Sequence, residues 1–187
     1  MIKAVLDACV LYSAPVRGFL LRLATAESFC PFWSEEIQNE WTRNLLQNRP
    51  DLKQDDLEQT RRRMDFHFPG SHVSGHDAII PTLNLPDIKD RHVLAVAIQV
   101  KAKYIVTFNL SDFPELILQS HNIEAVSPDD FVMRLISQNR SRVLWTVRSH
   151  QSSLTRPPKT VDEYLAELEE RGFIKTVALL RKYRNDI

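Results

Sequence analysis

The chain reads as an α/β domain built on a parallel sheet, followed by a helical extension. Three observations predict this. Short, apolar, β-branched runs alternate with helix-period segments, as in a sheet covered on both faces. The 187 residues are enough for one domain with a real core, and the hydrophobic (43%) and charged (26%) fractions are those of an ordinary globular protein. Near residue 140 the pattern changes, from strand-and-helix alternation to helices only.

Residues 2–6, IKAVL, form the first predicted strand and end at Asp7. Residues 14–27 carry Phe19, Leu20 and Leu23 on one helical side. SFCPFW, 28–33, is a short strand or extended link. Ser34 then stands where an N-cap belongs, with Glu35 and Glu36 in the first turn of a helix reaching about Leu46. Ile37, Trp41 and Leu45 recur every four residues along it. A polar helix over about 53–65 follows. The stretch 66–86 is rich in glycine, proline and histidine, with "AII" as its one strand-like piece.

A helix is predicted from about 88 to 101. KYIVTF, 103–108, is a strand by its β-branched and aromatic content. DFPELILQS continues as a helix after a sharp turn, and IEAVS is another short strand. Pro128 suits the first position of a helix over 128–139. Beyond it, RSRVLWTVRSH is basic and amphipathic, and QSSLTRPPKT is a turn-rich link. DEYLAELEERG and FIKTVALLRKY read as two more helices. The expected division is 1–139 for the main domain and 140–187 for the extension. No internal repeat is present.

Several function classes lose support at once. Lysine plus arginine total 24 and aspartate plus glutamate total 24, so net charge offers no attraction for nucleic acid. From Arg140 onward ten basic residues face six acidic ones, a modest local bias. Cys9 and Cys30 form no CxxC pair, which removes zinc-site and disulfide scaffolds. Their apolar neighbours point to reduced thiols and a cytoplasmic setting. MIKAVLDACV has no signal-peptide core, and no apolar run reaches membrane-spanning length, so no membrane partner is expected.

The candidate chemistry lies in acids at strand ends and helix starts. Asp7 closes the first strand, and Asp112 follows KYIVTF by a turn, at the same end of the expected sheet. That end is where ligands bind in open α/β sheets. In LPDIKDRHVLAVAI, Asp87 and Asp90 precede an apolar helix. Either acid can cap it. Asp90 also shares a face with Leu94 and Ala97, the face that packs on a sheet. Glu40 flanks the apolar stripe of its helix, but pattern alone does not select it over Glu35 or Glu36. Asn109 is a supporting or turn residue.

Acids that converge raise one another's pKa unless a cation is present. Hard divalent ions prefer oxygen ligands, so Mg²⁺, with Mn²⁺ as a substitute, suits such a set. A metal held in this way can polarise a phosphodiester and orient water.

With these residues named, the chain resembles PIN-domain ribonucleases. VLDACVLYS, SEEIQNEWTRNL, DIKDRHVLAVAI and YIVTFNLSDFP carry the likeness, over about residues 1–138. The resemblance implies a three-layer α/β PIN-like fold and an acidic, metal-dependent site. It matches Asp7, Glu40, Asp90 and Asp112 to the family's acids as catalytic and metal-binding residues, with Asp87 supporting. Cys9 departs from the family's usual small polar residue and is expected to cost one hydrogen bond near Asp7. LTRPPKTVDEYLAELEERGFIKTVALLRKY is similar to the C-terminal extension of a VapC-like toxin group within the family. That implies an endoribonuclease toxin acting on RNA, a cognate antitoxin and a homodimer.

Arg43, Arg91 and His92 are candidate RNA contacts, although Arg43 can instead pair with Glu40 and His92 can pack. Arg61, Arg62, Arg63, Arg140, Arg142 and Arg148 are wider options. Phe108, Phe113, Trp33, Trp41 and Trp145 read as packing residues. Two rival readings stand beside the nuclease. One is a small-substrate metal-dependent phosphatase, weakened because Ala8 and Cys9 follow Asp7 where a DxD pair is needed. The other is a non-catalytic RNA-binding or protein-interaction domain that keeps its acids for capping.

Overall fold

The computed structural model describes residues 1–155 and 157–187, less the side chains of Asn185 and Asp186. The predicted link over 151–160 therefore includes one position, Arg156, outside the described residues. The chain forms two compact units. One contains residues 2–13 and 30–126; the other contains residues 14–29 and 127–187.

The first unit is built on a five-stranded, wholly parallel sheet in the order β3-β2-β1-β4-β5. Its strands are β1 (Lys3–Leu6), β2 (Cys30–Ser34), β3 (His72–Val73), β4 (Tyr104–Val106) and β5 (Glu124–Val126). Strand β1 is central. The chain adds strands on one side of it, then crosses to place β4 on the other, so the order reverses between β1 and β4. A crevice opens at such a reversal, beyond the carboxyl ends of the strands. Leu6 pairs with Val106, which sets Asp7 and Thr107 side by side at that position.

Helices α1 (Ala8–Tyr12), α3 (Glu35–Asn48), α4 (Gln54–His67), α5 (Arg91–Val100) and α6 (Glu115–Gln119) complete this unit. As its pattern predicts, α3 starts from a Ser34 cap that accepts from the Ile37 amide (3.3 Å) and buries Ile37 and Trp41 completely. Helix α5 buries Val93 to Ala97 without a break. It contacts β1, β2 and β4 together. The α/β class is as the sequence predicts.

Two local readings change. Helix α1 follows β1 immediately, because the Asp7 carbonyl accepts from the Val10 and Leu11 amides and turns the chain. "AII" is not a strand: Ala78 and Ile79 lie in a turn, and Ile80–Thr82 is a 3-10 turn. Pro81 explains this, since it has no N–H for a ladder but suits the start of a helical turn. The strand of this region is His72–Val73, paired with Trp33 and Ser34.

The second unit contains α2 (Ala14–Thr25), α7 (Pro128–Ser153), α8 (Val161–Glu170) and α9 (Ile174–Leu180). Helix α7 breaks at Asn139, whose backbone leaves the helical region (φ −151°, ψ 81°). The Asn139 side chain accepts from the Arg142 amide (3.0 Å) and so caps the second half of the helix. At the other end, Asp129 is buried and accepts from the Lys175 and Thr176 amides (2.8 and 2.9 Å), capping α9. Phe19 meets Phe173 edge to face at 5.2 Å, and Phe29 meets Phe131 likewise at 4.9 Å. Trp145 departs from the packing prediction, being 63% exposed on α7.

His150 is the titratable pivot of this unit. Its Nδ1 lies 3.0 Å from the Tyr164 hydroxyl, and its ring stacks parallel to Phe19. Burial, with the Arg22 charge beside it, pushes the imidazole down to about 4. The folded chain thus binds fewer protons than the unfolded chain between about pH 6.5 and 4, and stability falls as pH drops through that window. Urea unfolding followed by circular dichroism should show a loss of about 1 kcal/mol between pH 7 and pH 5 from this group, screening allowed for. The His150→Gln variant should lose that part of the pH dependence.

Candidate functional site

The site is assembled around Asp7. Its carboxylate is almost wholly buried at the carboxyl end of β1. Oδ1 accepts from the Ala8 amide at 2.6 Å. Oδ2 accepts from the Thr107 hydroxyl at 2.6 Å and from the Cys9 thiol at 3.1 Å. Burial drives the Asp7 pKa above its ordinary range; the bonds from Thr107, Cys9 and Ala8 pull it back, and the Glu40 charge adds to the rise.

The supports of Asp7 form a closed network. Thr107 Oγ1 accepts from the Asn109 amide at 2.9 Å while its proton goes to Asp7. Cys9 Sγ accepts from the Phe108 amide at 3.3 Å and lies 3.4 Å from Thr107 Oγ1. Burial, then the Asp7 charge, pushes the thiol up to about 12, so Cys9 stays a protonated donor. Cys9 therefore keeps the hydrogen bond near Asp7 that the departure from the family pattern was expected to remove. Thr107 was missed in the sequence. Its signal was a hydroxyl ending an apolar strand that pairs in register with the strand ending in Asp7.

Asp87 and Asp90 separate cleanly. Asp87 caps the 3-10 turn Ile88–Asp90, accepting from the Lys89 amide at 2.8 Å. Asp90 sits at the junction of that turn with α5 and makes no side-chain capping bond. It is half-buried, with Leu94 and Ala97 below it in the core. Its carboxyl is pushed up to about 6, first by burial and then by the charges of Asp7, Asp112, Asp87 and Glu40. Three acids from other segments, and Asp87 from its own turn, thus act on one carboxylate.

Glu40 is the α3 acid that joins this set. Glu35 instead pairs with Arg61, and Glu36 lies 3.4 Å from the buried His76. Glu40 Oε2 faces His92 Nε2 at 3.6 Å, so His92 is a half-buried neighbour of the acids. Asp112 ends the 3-10 turn Leu110–Asp112 that Asn109 precedes, and is half-buried. Asn109 contributes its backbone amide; its side chain makes no capping bond.

The donor set fits a hard divalent cation. It is all oxygen, and a shared positive charge would relieve the repulsion that adds to burial in raising Asp90. Among the described residues no group of three or more His, Cys, Asp or Glu side chains stands at closed metal-site spacing. The acids share a field about Asp90, and closing on an ion would require their side chains to draw together.

The basic candidates are more dispersed. Arg43 is exposed along an open groove of about 470 Å³ that α3 and α4 form with Asn39, Gln47, Glu58 and Arg61. Arg61 is tied to Glu35, Glu58 and Asn39. Arg91 is half-buried beside Asp90, with its Nε enclosed and without an acceptor. In the second unit Arg140 bonds the Tyr183 hydroxyl and Arg142 the Glu27 carbonyl, each at 2.7 Å. Phe113 is buried as predicted, but Phe108 is 45% exposed. The amides of Phe108 and Asn109 are both pinned, to Cys9 Sγ and Thr107 Oγ1.

Two substitutions test this arrangement. Thr107→Val removes a donor from a buried carboxylate and should cost about 1–3 kcal/mol in urea unfolding, with Thr107→Ser retaining most of the stability. Asp90→Asn removes a repelled charge. At pH 7.5 without divalent ions it should be more stable than the wild type in urea unfolding, by up to about 1 kcal/mol. Added Mn²⁺ should raise the wild-type melting temperature and leave that of Asp90→Asn nearly unchanged.

Comparison with known proteins agrees with the fold. The PIN domain model matches residues 3–111, and the VapC50 C-terminal domain model matches residues 128–182. A relative from Mycobacterium tuberculosis named "Putative ribonuclease VapC50" is 33% identical over 97 residues, which span 52% of this chain and 57% of the relative. The match thus spans little more than half of either chain. No solved structure matches. Among the described residues no helix is long and apolar enough to cross a membrane. With its five-stranded parallel sheet and the PIN domain match over residues 3–111, the chain belongs to the PIN-domain family.

Proposed function

We propose that the chain is a metal-dependent endoribonuclease that hydrolyses RNA phosphodiester bonds. Asp7, Glu40, Asp90 and Asp112 would hold Mg²⁺, with Mn²⁺ as a substitute, and Asp87 would shape the loop that carries Asp90. The observation that carries this reading is the gathering of Asp7, Glu40, Asp87 and Asp112 about the half-buried, uncapped Asp90, whose carboxyl is pushed up to about 6 by burial first and by their charges second. Acids used only for capping would each turn to an amide, as Asp87 does, and Asp90 does not.

The division of labour follows from the surroundings of each acid. Asp7 is the fixed point, held at both oxygens by Ala8, Thr107 and Cys9. Asp90, Glu40 and Asp112 are less tightly bound and can adjust to a substrate phosphate. A bound divalent cation would supply Lewis-acid stabilisation of charge on the phosphate and favour ionisation of an attacking water. Arg43, Arg91 and His92 would meet the RNA backbone, His92 also orienting Glu40.

The VapC likeness supports a toxin held in check by a cognate antitoxin, in the cytoplasm, as a homodimer. The two free cysteines agree with a reducing compartment. We further assign residues 1–139 to the nuclease module and 140–187 to its extension; the helix break at Asn139 supports that division. The extension is not dispensable for packing: without it Phe19 loses Phe173, and Asp129 loses the α9 amides.

Cleavage of a mixed RNA panel tests the activity directly. The wild type should cut with Mg²⁺ or Mn²⁺ and stop with EDTA, and Asp7→Asn should lose about a hundredfold or more. Metal-independent cutting, or full activity in that variant, would contradict the proposal.

A further inference from the structure

An acidic site creates a difficulty for a nuclease. Asp7, Glu40, Asp87, Asp90 and Asp112 repel a phosphate backbone, and the formal net charge of +0 offers no long-range compensation. A bound cation and Arg43, Arg91 and His92 would offset this repulsion at the phosphate, and contacts indifferent to charge would add affinity beside it. Base stacking on an aromatic face is such a contact.

Phe108 is placed for it. It lies between Thr107, which donates to Asp7, and the turn that ends in Asp112. Its ring is 45% exposed, and Leu110 two residues on is 44% exposed. The backbone beneath the ring is pinned on both sides. The Phe108 amide bonds Cys9 Sγ (3.3 Å), which itself bonds Asp7 Oδ2 (3.1 Å). The Asn109 amide bonds Thr107 Oγ1 (2.9 Å). The ring is thus exposed on a rigid mount, two hydrogen bonds from the central carboxylate. Simple structural use would bury it, as Phe113 is buried five residues later.

We propose that Phe108 is a positioning residue that stacks a nucleobase of single-stranded RNA next to the phosphate held at the acid site. This deepens the nuclease reading and rests on it. Any base offers a π-face, so the ring sets affinity and register rather than sequence choice.

The test compares Phe108→Ala, Phe108→Leu and Phe108→Trp in the full chain. Phe66→Ala serves as control, since Phe66 is an 81% exposed ring on α4 remote in sequence from the acids. Two readouts are taken. The first is kcat and KM for a single-stranded RNA 12-mer with Mg²⁺. The second is fluorescence anisotropy of a labelled oligoadenylate 8-mer, and of an abasic strand of equal length, with Ca²⁺. Phe108→Ala should raise KM and Kd for the base-bearing strands about tenfold, leaving kcat within about twofold. Phe108→Trp should restore both, Phe108→Leu should not, and the abasic strand should bind wild type and Phe108→Ala alike.

Unchanged binding in Phe108→Ala, or full rescue by leucine, would overturn the proposal while leaving the nuclease intact; the ring would then be free for a protein partner. If the wild type neither cuts nor binds any RNA, the nuclease reading fails and this inference fails with it.

Discussion

A carboxylate buried at the end of the central strand is the constraint on which the first unit depends. An unpaired buried charge costs far more than any single packing contact returns. Asp7 is tolerable because three donors reach its two oxygens, from its own helix start, from the neighbouring strand and from the thiol two residues on. The Thr107 donor reaches Asp7 only if β1 and β4 pair in the observed register. The register in turn delivers the Asn109 and Asp112 turn to the same crevice. The fold therefore does not merely carry the acids: satisfying Asp7 organises the surface on which the others meet.

Asp90 shows the opposite arrangement. It is half-buried, makes no capping bond and feels four like charges. Natural helix starts usually use such an acid to satisfy an amide. Here Asp87 does that work one turn earlier. Leaving Asp90 repelled costs stability in the isolated chain, and such a cost persists where it serves binding. The second unit treats its buried acid differently. Its buried acid, Asp129, is fully used by the α9 amides, and its aromatic pairs and the His150–Tyr164 contact are those of a packed core.

Much of this was legible in the sequence, for identifiable reasons. Long-period patterns dictated α3 and α5, and β-branched runs dictated β1 and β4. The amphipathic face placed Asp90 above Leu94 and Ala97. Pro128 and the change of character near residue 140 anticipated both the start of α7 and its break at Asn139. What stayed hidden depended on contacts between segments distant in the chain. Glu40 could not be told from Glu35 and Glu36 until Arg61 and His76 were seen to occupy the other two. Thr107 looked like one more strand residue, because its role is defined by Asp7, a hundred residues away. Phe108 and Trp145 looked like core because exposure of an aromatic depends on backbone geometry that composition does not encode. Helix α1 is too short to show a period at all.

The central claim is that Asp7, Asp90, Glu40 and Asp112 form one cation site. The most direct measurement is a crystal structure of the full chain grown with Mn²⁺, with anomalous scattering recorded to locate the ion. The account predicts a manganese peak in the crevice between the ends of β1 and β4, bound by Asp7 and Asp90 together with Glu40 or Asp112. A manganese peak elsewhere, or a crevice without manganese at saturating concentration, would contradict it.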